Sequence, residues 1–287
     1  MTHTQRVSLC FVAAGSGTSS GWTTDGTLAG MARRVPGERA SSRAGVMRAA
    51  RLGTYAIPQA RDPETAIVIP DGCADIIWVD DAPPVVVGPM TAPVRSWPSP
   101  GSRIVGVRFR PGMAGVVLRE ACQSLTDRDV PLAALWGDRA ARTFAIASDF
   151  DAPESAIDVS GVVAVLGDDI SSLPTGDLAV LHAIEWLRRH PQGRQSSLVR
   201  EIGLSERQLR RRFVSAVGYG PKTFQRIMRV QHCLSAMQSR REHRADLATL
   251  AVEMGFVDQA HMTRELRHFT GRTPCAMTMA HATGWTD

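Results

Sequence analysis

Lysine is nearly absent from this sequence, cysteines are few, histidine is nearly absent from its first 177 residues, and long apolar runs are missing. The five cysteines, Cys10, Cys73, Cys122, Cys233 and Cys275, are odd in number, widely spaced and never in a CxxC pair. That pattern supports neither a disulfide framework nor a four-cysteine metal site. Before Leu178 the only histidine is His3, so the clustered histidines of a metal-dependent enzyme are lacking there. Apolar stretches such as residues 161–167 fall far short of the roughly 20 residues a bilayer span requires. No charged start followed by a long apolar core marks a secretion signal. These absences predict a cytoplasmic protein with no membrane association and no resident cofactor.

What is present is unevenly placed. With 287 residues, 44% of them hydrophobic, the chain can bury a sizeable core, and its length suggests two domains. From Leu178 onward lie 17 of the 33 basic and 9 of the 28 acidic residues, a balance of +8, which leaves −3 for everything before. All the basic residues except Lys222 are arginine. A basic region attracts the phosphate backbone and releases counterions, giving sequence-independent affinity for nucleic acid.

The same region contains a repeat. Over residues 246–274, Asp246 is suited to cap a helix whose apolar positions are Leu247, Leu250, Ala251 and Met254. Gly255 can take the positive φ that ends it, and Asp258 can cap a second helix with Met262, Leu266 and Phe269 on one face. Two short helices meeting at a glycine turn are the pattern of a helix-turn-helix, whose second helix enters the major groove. Residues 198–221 are a near copy. Leu209, Arg211, Phe213, Gly218 and Pro221 each precede Met262, Arg264, Leu266, Gly271 and Pro274 by 53 positions, five matches at one offset. Between the copies Phe224, Ile227, Val230, Leu234 and Met237 recur at helical spacing over 222–238, a connecting helix about 25 Å long. Two reading heads held apart in this way are expected to meet successive major grooves and to contribute to specificity independently.

LSERQLRRRF followed by GYGP, then GFVDQAHMTREL followed by GRTP, resembles the DNA-binding domain of the AraC/XylS family of bacterial transcriptional regulators. The resemblance covers roughly the last third of the chain. One departure is Val199, where the family usually has alanine. Upstream, IPDGCADIIW, GVRFRPG and VPLAALWG resemble an uncharacterised N-terminal domain often fused to such heads. The resemblance implies a sensor or dimerisation module there.

Residues 1–47, rich in Gly, Ser, Thr, Ala and Arg without periodicity, are expected to be a disordered extension. Residues 48–170 read as a β-rich domain, 171–177 as a linker and 178–287 as the DNA-binding domain. Short β-type runs at 65–69, 74–79, 85–87 and 104–109 are separated by strong turn chemistry, notably Pro70-Asp71-Gly72. Helices are predicted around Val116 and over 132–147 and 157–166. The fold class is therefore α+β multidomain: a cupin-like barrel or sandwich with helices, then an all-α domain of two helix-turn-helix motifs joined by a connecting helix. Arg108 and Arg110 alternate with Val107 and Phe109, so a strand sends both to one face, read as a solvated surface with a ligand-facing role as the alternative. Trp78 and Trp186 read as core. Cys73 reads as a structural cysteine, with a redox sensor as the alternative.

On the reading helices, the side opposite the core carries Arg207, Arg210 and Arg211 in the first head and Arg264 in the second, with Gln259 and His261 at the second helix's N-terminal end. Arginine pairs bidentately with guanine and glutamine with adenine. The resemblance points to the same six positions. The expected partners are double-stranded operator DNA, RNA polymerase, a small-molecule effector and a second copy of the chain. An enzyme of the cupin or DNA-repair kind is the alternative, and no metal cluster or nucleophile–base pair in the sequence supports it.

Overall fold

The computed structural model describes residues 50–56, 67–80, 82–95, 103–138, 140, 176–239 and 246–277. The expected extension, the helix over 157–166 and most of the linker lie outside these residues.

The first half is built on an antiparallel sheet. Strands β1 (Ala50–Ala56), β6 (Arg103–Phe109), β3 (Ala74–Val79), β4 (Val85–Val87) and β7 (Asp129–Pro131) lie side by side in that order. β2 (Ile67–Val68) and β5 (Val94–Arg95) form a separate two-stranded ribbon. Strand alternation sends Ala74, Ile76, Trp78, Val86, Val107 and Phe109 to one face. That face is closed over by α1 (Ala114–Leu118), α2 (Cys122–Leu125) and α3 (Leu132–Trp136), whose Val117, Leu118, Cys122, Leu125 and Leu132 complete a buried cluster. Trp78 is fully buried there, as its place in an apolar run predicts. Gly137, at φ 53°, interrupts the expected helix over 132–147 by ending α3 after Trp136; Asp138 and Ala140 are helical again, and residues 141–147 lie outside the described residues.

The second half is helical: α4 (Leu178–Arg189), α5 (Gln195–Ile202), α6 (Glu206–Val217), α7 (Pro221–Ser239), α8 (Leu247–Glu253) and α9 (Gln259–Thr270). α7 is the connecting helix. Pro221 opens it, where a missing N–H costs nothing, and its Phe224, Ile227, Val230 and Leu234 are buried against both helix pairs. At 19 residues it is about 28 Å long. Trp186 packs only partly buried at the edge of this core, its ring 4.7 Å from that of His190.

The halves are joined by an apolar and hydrogen-bonded seam. Ile67 and Ile69 belong to the same buried cluster as Phe224, Met262 and Phe269. The Gln231 side-chain amide donates to the Pro70 carbonyl at 2.7 Å. Gly72 lies against Phe224 so closely that a Cβ would stand 2.7 Å from the ring. The Pro70-Asp71-Gly72 turn thus serves as a docking point as well as a turn.

On the sheet face opposite the helices, Arg108 departs from the solvated reading. Its guanidinium is held bidentately by Asp75, the residue directly across on β3, at 2.8 and 2.9 Å, and by Asp71 at 2.6 Å. Only 11% of its side chain is exposed. Burial disfavours the charge, but Asp71 and Asp75 outweigh it and raise the Arg108 pKa above its ordinary value. Arg110, one residue past the strand, is exposed. Burial, and then the Asp71 carboxylate, push the Cys73 thiol up, which disfavours the thiolate a redox sensor needs.

Candidate nucleic-acid interface

Each reading helix is begun and ended by its own sequence. Ser205 and Gln208 form a capping box on α6: the Gln208 N–H donates to Ser205 Oγ, and the Ser205 N–H to Gln208 Oε1. Asp258 Oδ1 accepts from the His261 N–H at 2.6 Å and caps α9. Gly218 and Gly271, one repeat apart, end the two helices at φ 101° and 70°, a region glycine enters without steric cost. In both heads the helix before the turn is α5 or α8, ended by Gly203 at φ 73° or followed by Gly255 at φ 73°.

Burial settles which side of each reading helix faces inward. On α6 it is Leu209, Phe213 and Val217; on α9 it is Met262, Leu266 and Phe269. Arg207, Arg210, Arg211, Gln259 and Arg264 are exposed, and His261 is half-buried. The structure brings the first three together on one helix and the other three together on the second. His261 is tied into its turn: its Nδ1 accepts the Val257 N–H at 3.3 Å, and its ring stands edge-on to Phe256 at 5.5 Å. With Nδ1 accepting, the neutral ring carries its proton on Nε2. Arg210 also borders a cavity of about 300 Å³ between α5, α6 and the start of α7, alongside Val199 and Lys222.

Three other arginines of this basic region are occupied within the fold. Arg212 makes a bidentate pair with Asp177 at 2.5 and 2.9 Å, and Asp177 also caps α4 through the N–H groups of Ala179 and Val180. Arg226 on α7 grips Glu265 on α9 with two bonds of 2.8 Å and lies 5.0 Å over the Phe269 ring. Burial raises the Glu265 carboxyl pKa, but Arg226 overrides it and holds the carboxyl below its ordinary value. Arg229 donates to the Pro191 carbonyl and lies 5.5 Å over Phe256. These pairs span 35 to 39 positions, so no local sequence signal announces them. They fix the heads to their scaffold and leave the six candidate positions to face outward or into the turn.

Two helix-turn-helix units on one connecting helix, each with polar groups on the side of its second helix away from the core, define a DNA-binding transcriptional regulator. Residues 198–278 match the family model described as a helix-turn-helix domain, of the AraC type, and residues 54–131 match a domain of unknown function (DUF6597). No curated protein matches the sequence. Among solved structures, the crystal structure of ToxT from Vibrio cholerae O395 is similar at 11% identity and a TM-score of 0.42, covering 81% of this chain and 98% of that one. A 1.65 Å structure of ToxT from Vibrio cholerae gives 10% and 0.40 over 81% and 98%. ToxT from Vibrio cholerae strain SCE256 bound to an unsaturated fatty acid gives 12% and 0.39 over 83% and 98%. Among the described residues no helix is long and apolar enough to cross a membrane.

Proposed function

We propose that Arg207, Arg210 and Arg211 on α6 and Gln259, His261 and Arg264 on α9 read an operator in two successive segments of major groove. In this reading the domain over 48–170 senses a small molecule or pairs with a second copy, 171–177 links it to the reading domain over 178–287, and the bound chain acts on RNA polymerase in the cytoplasm. The observation that carries the reading is the duplicated outward face. On the outward sides of two capped helices Arg207, Arg210, Arg211, Gln259 and Arg264 remain exposed, Arg211 and Arg264 at equivalent places of the repeat, while Arg212, Arg226 and Arg229 are consumed by Asp177, Glu265 and Pro191. Arginine forks on guanine and a glutamine amide on adenine supply base-specific contacts, and the remaining positive charge supplies affinity for phosphate. The chain acts by binding and not as an enzyme: the sequence offers no metal cluster or nucleophile–base pair for a reaction.

The test is a pair of substitutions measured against a base-by-base series of duplexes. Arg211→Ala and Arg264→Ala should each cost about 1–3 kcal/mol on the preferred duplex and relax preference only at base pairs under that head. Equal weakening on every sequence would reassign the arginine to phosphate contact. Unchanged binding to all duplexes by the folded variants would remove both side chains from the interface.

A further inference from the structure

The two reading heads end in equivalent glycine caps, and one short segment of the N-terminal domain reaches both. Residues 88–94, GPMTAPV, run from β4 to β5. At the first head, a Cβ on Gly218 would meet Thr126 Oγ1 and would stand 3.3 Å from Pro89 Cγ. Thr126 Oγ1 also lies 3.0 Å from the Gly218 carbonyl, to which it donates. At the second head, Pro93 Cγ and Ile67 Cδ1 lie over Gly271, 3.8 and 4.0 Å from where a Cβ would stand. Pro89 and Pro93 are four positions apart, so the ring that lies over one cap is linked to the ring that lies over the other through very little chain.

That chain is pinned in the middle. Asp127 sits at φ 55°, a conformation non-glycine residues seldom adopt, and its carboxylate takes both polar groups of Thr91, the N–H at 2.7 Å and the hydroxyl at 2.5 Å. The Asp127 N–H donates to the Pro89 carbonyl at 3.1 Å, and the Gly88 N–H to the Arg128 carbonyl at 3.0 Å. Gly88 presses so closely on the Leu125 backbone that no Cβ fits. Pro89 and Met90 are buried. Two prolines, with five hydrogen-bonded or close-packed anchor points over residues 88–91, make this a brace, not a loop.

We propose that this brace, held by Asp127 and Thr91, positions the two heads relative to each other and thereby sets the spacing of half-sites the chain accepts. This rests on the two-headed reading given above. The connecting helix holds each head along one side, through its buried Phe224, Ile227, Val230 and Leu234 and the Arg226–Glu265 pair; packing at the caps adds a hold at the far end of each reading helix and so further limits rotation about α7. Rigid heads bind together only where both half-sites are in register. Loosened heads accept a misplaced second site at a lower effective concentration. The heads are accordingly coupled through the N-terminal domain, not independent as a lone connecting helix would leave them.

The test uses the full chain and a duplex selected by the native chain from a random pool, together with derivatives carrying one or two base pairs added or removed between the half-sites. Single-head duplexes, with one half-site scrambled, complete the set. The native chain should lose about tenfold in affinity for a one-pair change, which moves the second site by about 3.4 Å and about a tenth of a turn. Asp127→Gly keeps the backbone conformation and removes the pin, and should compress that loss to within about threefold while leaving single-head duplexes unchanged. Thr91→Val, a milder change, should move the same way, and Asp127→Asn should restore native discrimination. Native spacing discrimination in both folded variants would overturn the brace, as would equal weakening on every duplex including the single-head ones. A native chain indifferent to spacing would instead overturn the two-headed reading itself.

Discussion

Replacing Arg108 with alanine is expected to cost about 3–5 kcal/mol of stability, because Asp71 and Asp75 would be left buried without a counter-charge. Their side chains are only 15% and 14% exposed, so water cannot take over the role of the guanidinium. The loss should extend beyond the sheet. Asp71 accepts the Cys73 N–H at 3.0 Å and shapes the turn whose Pro70 carbonyl takes Gln231 and whose Gly72 rests on Phe224. Denaturant unfolding of the full chain measures the effect. The triple change Arg108→Met, Asp71→Asn, Asp75→Asn removes all three charges together and should recover most of the loss, since a buried ion cluster as a whole contributes little net stability. If the triple variant is as unstable as the single one, the guanidinium matters for shape and not for charge.

Phe213→Ala should have an effect of similar size but in a different place. Phe213 is fully buried and meets Phe224 edge-on with ring centroids 5.6 Å apart, so truncation leaves a cavity where α6 joins the connecting helix. A phenylalanine-to-alanine change at such a site costs about 3–5 kcal/mol. The first head should lose helical order by circular dichroism at temperatures where the native chain is intact, and operator binding should fall with it. A variant that keeps native helicity and melting while losing DNA affinity would place Phe213 at the interface instead of in the core.

The helical half was legible because its signals are local and occur twice. Caps at Asp246 and Asp258, the glycine turn at Gly255, the repeat that pairs Gly218 with Gly271, and apolar periodicity are all signals close to the elements they define. Strands β3 and β4 were legible for the same reason, as apolar runs between turns. β1 was missed because ARLGTYA carries a glycine and no clean alternation. β7 was missed because Asp129-Val130-Pro131 reads as a turn; its proline is tolerated because the strand lies at the sheet edge. Arg108 shows the limit most clearly. Alternation correctly set it opposite Val107 and Phe109, but its burial depends on Asp71 arriving from 37 positions away. The outward side of Arg207, Arg210, Arg211 and Arg264 was legible from helical angle, whereas Gln259 and His261 were set beside them by their place at the helix N-terminal end, and His261 is half-buried in its turn. The brace was not, since what Pro89 and Pro93 touch depends on the docking of the two halves.

The most direct test of the account is a footprint of the full native chain on its selected duplex, repeated at rising salt. Two heads on one rigid connecting helix predict two protected patches on the same face of the duplex, centred about one helical turn apart, with affinity falling steeply as salt rises. A single patch, or affinity indifferent to salt, would contradict it.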